Sequence, residues 1–116
     1  MLNFAPTHQP HSSADAAARR AAAKPGRKIT VRIKRSDGPG KPSRWEDFSL
    51  AVQRGDNIIS VLQRIAAQPV TTSGAATTPP VWDSGCLEEV CGSCTALVNG
   101  KVRQMCSALV DDYAPN

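Results

Sequence analysis

At 116 residues the chain has the length of one small domain, and an aromatic content of 4% means that its core must be built mainly from aliphatic side chains. The net charge of +4 is not combined with interleaved aromatic residues or a known recognition module, so we expect no nucleic-acid partner. No run approaches the about 20 apolar residues that a membrane-spanning helix requires, so we expect no membrane span in this chain.

Residues 1–26 are rich in Ala, Pro, His and Ser and show no apolar periodicity, which predicts a disordered N-terminal tail. His8 and His11 lie in this segment, and we expect both side chains to be solvated rather than bound to a metal. The segment lacks the continuous apolar stretch of a secretory signal, because the three alanines after Arg20 are followed at once by Lys24. An organellar transit segment is the weaker alternative.

The ordered domain is expected to extend over residues 27–116 and to begin with an antiparallel hairpin. Apolar and polar residues alternate in two runs, which is typical of half-buried strands. The apolar positions are Ile29, Val31 and Ile33 in the first run and Phe48, Leu50 and Val52 in the second. The turn-rich segment 36–43 separates the two runs and is predicted to form the hairpin loop.

A helix is predicted after the hairpin. Gly55 breaks the second strand, and the side chain of Asp56 or Asn57 is suited to cap the helix start. Apolar residues then recur on one helical face, at Ile58, Leu62, Ile65 and Ala66. Pro69 ends the helix, and the segment 71–80, made of Thr, Ser, Gly, Ala and Pro, is predicted to be a mobile loop. One helix packed on a small mixed sheet is an α+β arrangement.

The four cysteines form the strongest motif in the chain. Cys86, Cys91 and Cys94 have the spacing C-x4-C-x2-C, and Cys106 follows after eleven further residues. The first three match the spacing of plant-type [2Fe–2S] ferredoxins. A binuclear cluster is compact, so a tight loop is needed to direct several thiolates toward it. The spacing therefore predicts a [2Fe–2S] cofactor with these four cysteines as its ligands.

The position of the fourth ligand can be found by counting from a predicted turn. Asn99-Gly100 between short β-prone runs is typical of a type I′ hairpin turn, in which both residues have positive φ. Continuing that pairing places Cys106 opposite Ser93 and beside Cys94. Opposed residues have Cβ atoms about 4.5–5.5 Å apart, so Cys94 and Cys106 are predicted to bind one iron and the other two cysteines the second.

The residues around the cysteines agree with a negatively charged cluster. Gly85 and Gly92 are next to ligands, where the missing side chain lets backbone N–H groups approach sulfur closely. Glu88 and Glu89 would repel the cluster if they faced it, so we expect both side chains to face solvent. Trp82 is expected to pack in the core, with a position near the electron path as the alternative.

Three other uses of these cysteines are weaker alternatives. A zinc site, in a zinc-stapled interaction module, usually draws on two C-x2-C pairs, and this chain has one. Two disulfides would suit a small secreted domain, but the sequence shows no export signal. A catalytic cysteine needs a histidine partner, and both histidines lie in the predicted tail.

Short motifs around the cysteines, together with the cysteine spacing, carry a family resemblance. They are Pro-Val-Trp-Asp at 80–83, Cys-Gly-Ser-Cys at 91–94 and Val-Asn-Gly-Lys at 98–101. Together these motifs resemble the N-terminal ferredoxin domain of the iron–sulfur subunit of succinate dehydrogenase and fumarate reductase, over about residues 28–113. The gap before Cys106 adds specificity, because free-standing plant-type ferredoxins have a much longer one. Leu-Glu-Glu-Val at 87–90 resembles the branch found in menaquinone-using bacteria.

The resemblance implies a β-grasp fold and a role as the electron-transfer subunit of an oxidoreductase, succinate dehydrogenase/fumarate reductase of the tricarboxylic acid cycle. In that family a flavoprotein subunit oxidises succinate and passes electrons to the [2Fe–2S] cluster, and further clusters carry them to a membrane quinone. Cys86, Cys91, Cys94 and Cys106 match the cluster ligands, and no substrate-handling residue is expected here. The implied location is cytoplasmic and peripheral, at the cytoplasmic face of the bacterial inner membrane.

The sequence departs from the family pattern in one respect. The family's C-terminal helical domain, which carries [4Fe–4S] and [3Fe–4S] clusters on further cysteine motifs, is absent from these 116 residues. The expected partners are therefore the flavoprotein subunit and either a membrane anchor subunit or a separate chain with the missing clusters. A stand-alone soluble [2Fe–2S] ferredoxin is the alternative function.

Overall fold

The computed structural model describes residues 1–5 and 26–114. Within these ranges the chain forms five strands and two helices: β1 (Leu2–Ala5), β2 (Arg27–Ser36), β3 (Ser43–Val52), α1 (Ile58–Ala67), β4 (Thr95–Val98), β5 (Lys101–Gln104) and α2 (Val110–Tyr113). The strands form one sheet in the order β3-β2-β1-β4-β5, in which only β1 and β4 are parallel neighbours. This confirms the predicted α+β arrangement with a small mixed sheet, to which α2 adds a second, single-turn helix. Neither described helix is long and apolar enough to cross a membrane.

β2 and β3 form the longest hairpin, as predicted. The two ten-residue strands pair without interruption along their whole length. Val31 and Phe48 are register partners on the inner face, and both are almost completely buried, whereas Leu50 is half-buried. On the outer face the partners Arg32 and Asp47 form an ion pair at 2.7 Å. The period of two in the sequence therefore corresponds to one buried and one solvated face.

β1 lies between the two hairpins and joins them into one sheet. Leu2 is the register partner of Ile33 in β2 and of Val98 in β4. The backbone N–H of Asn99 donates a hydrogen bond to Leu2 O at 2.9 Å, and the Leu2 side chain is buried. The β2–β3 and β4–β5 hairpins are thus connected through four residues from the start of the chain.

This strand corrects one prediction. The expected disordered tail over residues 1–26 is wrong for β1, which occupies the centre of the sheet. Four residues are too few to show a clear period of two, so no local pattern marked them as a strand. β1 forms because β2 and β4 both present backbone N–H and C=O groups that need partners. Residues 6–25 of the predicted tail, with His8 and His11, lie outside the described residues.

The apolar face of α1 packs against the inner face of the sheet, and both contribute to one hydrophobic core. Its buried residues are Ile58, Ile59, Val61, Leu62 and Ile65. Of the two predicted caps Asn57 is the one used, since its side-chain Oδ1 accepts a hydrogen bond from Ser60 N–H at 2.8 Å. Ala66, predicted on the same face, is half-buried. The helix ends at Ala67, two residues before Pro69, as expected.

The segment 71–80, predicted to be a mobile loop, is hydrogen-bonded to the β2–β3 hairpin. Thr77 Oγ1 donates to Glu46 Oε1 at 2.8 Å. The Arg35 guanidinium donates to Thr78 O, also at 2.8 Å. These contacts fix the path by which the chain leaves α1 and approaches the cysteines, which the Thr- and Gly-rich composition did not indicate.

The hydrophobic core continues from the sheet and α1 into the last part of the described chain. Cys94, Met105 and Cys106 are buried in the same cluster as the inner face of the hairpin. Arg27 at the start of β2 forms an ion pair with Asp111 of α2 at 2.9 Å, and both side chains are buried. Two of the four cysteines are therefore part of the core, and the segment that follows them is held against β2.

Candidate metal centre

The β4–β5 hairpin brings Cys94 and Cys106 together. Asn99 and Gly100 have φ values of 49° and 80°, which are the positive values expected of a type I′ turn. The ladder continues past the named strands, because Met105 N–H donates to Cys94 O at 3.1 Å. Cys106 N–H then donates to Cys94 Sγ at 3.4 Å. The predicted neighbourhood of these two cysteines is therefore present.

The ladder ends earlier than the sequence count predicted. The chain turns after β5, where Ser107 N–H donates to Gln104 O at 3.3 Å. Cys106 thus lies in a turn rather than opposite Ser93 in a strand. The turn aims the Cys106 backbone N–H at the Cys94 sulfur. Both Cys94 and Cys106 are buried, with 3% and 9% of their surface exposed.

Two backbone N–H groups converge on Cys86. Glu88 N–H donates to Cys86 Sγ at 3.2 Å, and Val90 N–H donates to the same sulfur at 3.4 Å. Leu87 and Glu89 have φ values of 58° and 60°, so left-handed residues occupy every second position in this loop. Such alternation makes an anion-binding nest, in which successive N–H groups point to one side. The loop is therefore shaped to stabilise negative charge on sulfur.

Cys91 is exposed, and its sulfur is also surrounded by donors. The Cys91 Sγ and Ser93 Oγ atoms are 3.3 Å apart, and Ser93 N–H donates to Cys91 Sγ at 3.5 Å. The Ser93 hydroxyl, with smaller contributions from Ser93 N–H and the Cys86 thiol, lowers the pKa of the Cys91 thiol to about 6. Ser93 was not singled out from the sequence, although a hydroxyl two residues after a ligand cysteine is a recognisable signal.

The two halves of the site differ in polarity. Burial, followed by the neighbouring Cys94 thiol, raises the pKa of the Cys106 thiol. In the exposed half of the site, by contrast, the pKa of the Cys91 thiol is lowered. Because burial disfavours the charged thiolate, the buried sulfurs need a bound metal cation, such as iron, to remain deprotonated.

Side-chain hydrogen bonds join the thiols in two pairs, Cys86 with Cys91 and Cys94 with Cys106, and Cys86 and Cys106 also interact electrostatically across the pairs. None of the four is in a disulfide, and within the described residues no three His, Cys, Asp or Glu side chains gather around a point for a single ion. A structural zinc site needs four ligands around one point. Two pairs of thiols instead fit two irons with two protein ligands each.

Gly85 and Gly92 act in two different ways. A Cβ atom on Gly85 would lie 2.7 Å from Cys91 Sγ and 3.3 Å from Ser93 Oγ, so a side chain here would force the Cys91 sulfur to move. Gly92 has open space around it, with the nearest atom 4.0 Å away, but its φ of +75° favours glycine. The expected close approach is confirmed at Gly85, whereas Gly92 serves the backbone conformation.

The remaining predictions around the loop can also be checked. Trp82 is half-buried and packs against the hydrophobic core, as expected. Glu88 and Glu89 are exposed and face solvent. One contact was missed: the Asn57 side-chain Nδ2 donates to Cys106 O at 3.1 Å. The residue predicted as a helix cap therefore also holds the backbone of the fourth cysteine, which spacing could not reveal because 49 residues separate the two.

Comparisons with known proteins agree with this geometry. The family model for the 2Fe-2S iron–sulfur cluster binding domain matches residues 30–116. The succinate dehydrogenase iron–sulfur subunit of Bacillus subtilis (strain 168) is 44% identical over 79 residues, which are 68% of this chain and 31% of that protein. The chain thus spans about a third of the length of the curated relative it matches. No solved structure matches the chain.

The matched range includes all four cysteines, both strands of the β4–β5 hairpin and most of the β2–β3 hairpin. It begins at Thr30, inside β2, and therefore leaves out β1 and the start of the chain. The relative is an iron–sulfur subunit, in agreement with the resemblance seen in the motifs around the cysteines. The chain belongs to the family of 2Fe-2S iron–sulfur cluster binding domains.

Proposed function

We propose that this chain is a one-electron carrier that holds a [2Fe–2S] cluster on Cys86, Cys91, Cys94 and Cys106. The observation that supports it best is the set of backbone N–H groups directed at sulfur. Four such hydrogen bonds reach three of the thiols, with donor–sulfur distances of 3.2 to 3.5 Å. Such donors stabilise the negative charge of metal-bound thiolates, which increases when a [2Fe–2S] cluster is reduced.

The bound cluster would supply reversible one-electron chemistry, and the protein residues adjust how easily the electron is accepted. Backbone N–H dipoles stabilise negative charge on the thiolates, and they favour the reduced state because it carries one more negative charge. The Ser93 hydroxyl, 3.3 Å from Cys91 Sγ, acts in the same direction. Succinate is a weak reductant, so electron entry from it requires a potential well above the roughly −400 mV of plant-type ferredoxins.

The chain is proposed to act within a succinate dehydrogenase or fumarate reductase. Support comes from the relative, an iron–sulfur subunit of succinate dehydrogenase, and from the motif resemblance. In that role the flavoprotein subunit is the partner, with a membrane anchor subunit or a separate cluster-bearing chain as the electron acceptor. The corresponding location is the cytoplasmic face of the bacterial inner membrane. The β-grasp assignment also belongs to this proposal, supported by a mixed sheet with a helix packed against it.

Electrons are proposed to pass through the exposed half of the site. Cys91 is exposed and Cys86 is half-buried, whereas Cys94 and Cys106 are buried in the core. A partner docked on the protein surface therefore comes closest to the Cys86 and Cys91 sulfurs. This openness would also suit a stand-alone soluble ferredoxin that docks weakly with several partners, which is the second candidate function.

Two measurements test the proposal. The first is anaerobic iron, sulfide and zinc analysis per chain, with electron paramagnetic resonance after chemical reduction. Two irons and two sulfides with a one-electron signal are expected, and zinc without sulfide would overturn the cofactor assignment. The second is mixing the cluster-loaded chain with the succinate dehydrogenase flavoprotein subunit and succinate. Stable co-elution and cluster reduction are expected, whereas reduction without co-elution would favour the soluble ferredoxin.

A further inference from the structure

A cavity of about 340 Å³ lies between the two hairpins, at the end of the sheet where β1 begins. Its walls include residues 34–36 at the end of β2 and residues 95–96 at the start of β4. Buried apolar side chains also line it, and we call them the apolar floor: Ile33, Leu62 and Met105. The cavity therefore lies between two strands of one sheet and reaches the hydrophobic core.

The cavity continues the line of β1. Leu2 pairs with Ile33 of β2 on one side and with Val98 of β4 on the other. Beyond Leu2, the same line runs between residues 34–36 of β2 and residues 95–97 of β4, because β1 is antiparallel to β2 and parallel to β4. No strand of the described residues occupies this part of the line. Since β1 itself separates β2 from β4, the cavity is one strand wide, and we call it the strand gap.

Backbone groups point into the strand gap from both sides. Hydrogen-bonding groups alternate in direction along a strand. Lys34 N–H points toward β1, where it donates a hydrogen bond at 2.9 Å, so the N–H and C=O of Ser36 point to the same side. Asn99 N–H donates to Leu2 O at 2.9 Å, so the N–H of Leu97 also points toward the line of β1. Polar backbone groups at this depth in a sheet are best satisfied by another backbone.

We propose that the strand gap binds an extended segment of another polypeptide, which enters the sheet as a short strand between β2 and β4. Its backbone would pair with Ser36 and Leu97, and one aliphatic side chain would lie on the apolar floor. Strand addition of this kind takes its affinity from main-chain hydrogen bonds and its specificity from pockets for alternate side chains. The segment would also cover Val81, which lines the gap and is 96% exposed. This site is independent of the electron-carrier function, since it concerns the sheet alone.

The charges around the strand gap do not select a small ion. Lys34 and Asp83 both line it, so its rim carries both signs. The third charged residue, Arg35, is paired with Glu46 at 3.2 Å and donates to Thr78 O at 2.8 Å. A free anion or cation therefore gains little here, whereas the backbone groups on both walls suit a peptide.

The position of the gap inside the sheet also restricts the occupant. A strand that enters between two others needs both of its own edges free, so that each can pair. Every described strand of this chain is already paired on at least one edge. A second copy therefore has no described strand to offer. A flexible tail or linker of a different protein has both edges free and can order itself on binding.

The test uses the full cluster-loaded chain and an acetylated hexapeptide that alternates valine and threonine. Since the backbone is the recognised feature, we expect this peptide to bind. The matched control probe is the same peptide with N-methylated valines, which cannot donate hydrogen bonds along one edge. Calorimetric titration gives the dissociation constant, and hydrogen exchange locates the site. We expect slower exchange at the Ser36 and Leu97 N–H groups with the first peptide and no change with the control.

Two variants probe the walls of the strand gap. Ser36→Pro removes the N–H that faces the gap, and we expect it to raise the dissociation constant about three- to ten-fold. Ser43→Pro is its matched control, because Ser43 is the register partner of Ser36 and its N–H points to the open side of the edge strand β3. Ala96→Leu fills the gap and is expected to weaken binding about ten-fold or more. Its control is Ala51→Leu, at an exposed position of β3.

Each result decides for or against the strand gap. Binding of the first peptide that is weakened by Ser36→Pro and Ala96→Leu, but not by the two controls, supports it. No binding, or equal binding of the N-methylated peptide, overturns it. Protection of Ser36 and Leu97 in the free chain that disappears when residues 6–25 are replaced by a Gly–Ser linker, or on dilution, overturns it in favour of that segment or a second copy. If Ser36→Pro does not fold, Ala96→Leu against Ala51→Leu decides.

Discussion

The β2–β3 hairpin and the cysteine loop satisfy their backbone hydrogen bonds in opposite ways. Each strand of the hairpin uses its partner, and the register is continuous over ten residue pairs. In the cysteine loop the N–H groups of Glu88, Val90 and Ser93 donate to sulfur instead. The pairing between the two hairpin strands therefore needs no group outside the polypeptide, whereas the loop depends on the charge state of the thiols and on what they bind.

The comparison also applies to the surfaces of the two regions. The outer face of the hairpin carries paired charges, such as Arg32 with Asp47 at 2.7 Å. The cysteine loop carries acidic side chains with no basic residue nearby in sequence. A surface whose charges are already paired within the chain attracts little, whereas one with an excess of a single sign attracts an oppositely charged partner. Under the proposed function, the hairpin serves as the scaffold and the loop faces other molecules.

The largest expected effect comes from Cys106→Ala, which breaks the link between the loop and the core. Cys106 is buried beside Cys94, and metal binding in such sites contributes directly to folding. We expect loss of the iron–sulfur signal and destabilisation by about 3 kcal/mol or more, measured by iron and sulfide content and by thermal unfolding. Ser107→Ala is the control in the same turn. A stable, fully loaded Cys106→Ala protein would show that the fourth ligand lies elsewhere.

Gly85→Ala should come next, because it tests packing inside the loop without removing a thiol. The new Cβ would lie 2.7 Å from Cys91 Sγ, so the ligand must move. We expect a cost of about 1–3 kcal/mol in the loaded protein and a marked loss of cluster occupancy. Gly92→Ala, where space is open but φ is +75°, should cost about 1 kcal/mol and retain the cluster. Equal occupancy in the two variants would contradict the close approach at Gly85.

Asn57 joins the two regions, and its two roles can be separated. Asn57→Ala removes both the helix cap and the hydrogen bond to Cys106 O, and we expect a loss of about 1–2 kcal/mol. Asn57→Ser keeps an acceptor for the cap but loses the donor to Cys106, so roughly half that loss is expected. Chemical denaturation of the loaded protein measures both. If Asn57→Ser is as stable as the wild type, the contact with Cys106 contributes nothing.

Ser93→Ala should change the reduction potential of the cluster while leaving the fold intact. Its hydroxyl is 3.3 Å from Cys91 Sγ, and a hydrogen bond of about 0.5–1.5 kcal/mol that strengthens on reduction corresponds to about 20–60 mV in a one-electron couple. We expect the reduction potential to fall by this amount, with unchanged unfolding temperature. Redox titration followed by paramagnetic resonance provides the measurement. Ser93→Thr, which retains the hydroxyl, should restore the potential, and a potential unaffected by Ser93→Ala would exclude this role.

The smallest effect is expected on the outer face of the hairpin. The hydrogen bond from Arg32 lowers the pKa of the Asp47 carboxyl, so the pair stabilises the fold above the ordinary Asp pKa of about 3.9. This contribution is lost as the pH falls through the lowered pKa. Because the pair is exposed, we expect Asp47→Asn to cost less than about 1 kcal/mol at pH 7 and nothing at low pH. A larger loss at pH 7 would mean that the hairpin surface is not a passive scaffold.

Local patterns in the sequence predicted the regular elements well. The period of two at Ile29, Val31 and Ile33, the helical face beginning at Ile58, and the Asn99-Gly100 turn all correspond to observed structure. These features depend on neighbours within a few residues, for which sequence spacing is sufficient information. The cysteine spacing belongs to the same class, since it identified the kind of cofactor and the loop that surrounds it.

Contacts between residues far apart in the chain could not be predicted from local sequence patterns. β1 forms because two hairpins leave a place between them, and Asn57 reaches Cys106 because α1 and the turn after β5 pack together. The hydrogen bonds of the segment 71–80 to the hairpin are of the same kind. Each joins residues far apart in sequence, so no spacing rule reports it.

The sequence by itself determined the elements, the four cysteines and the cluster type that their spacing fits. Only the tertiary structure decided that Cys94 and Cys106 are buried while Cys91 is exposed. It also decided that Leu87 and Val90 are left uncovered beside them. The physical reason is that spacing sets which residues can be neighbours along the chain, whereas burial is set by what packs against them from elsewhere.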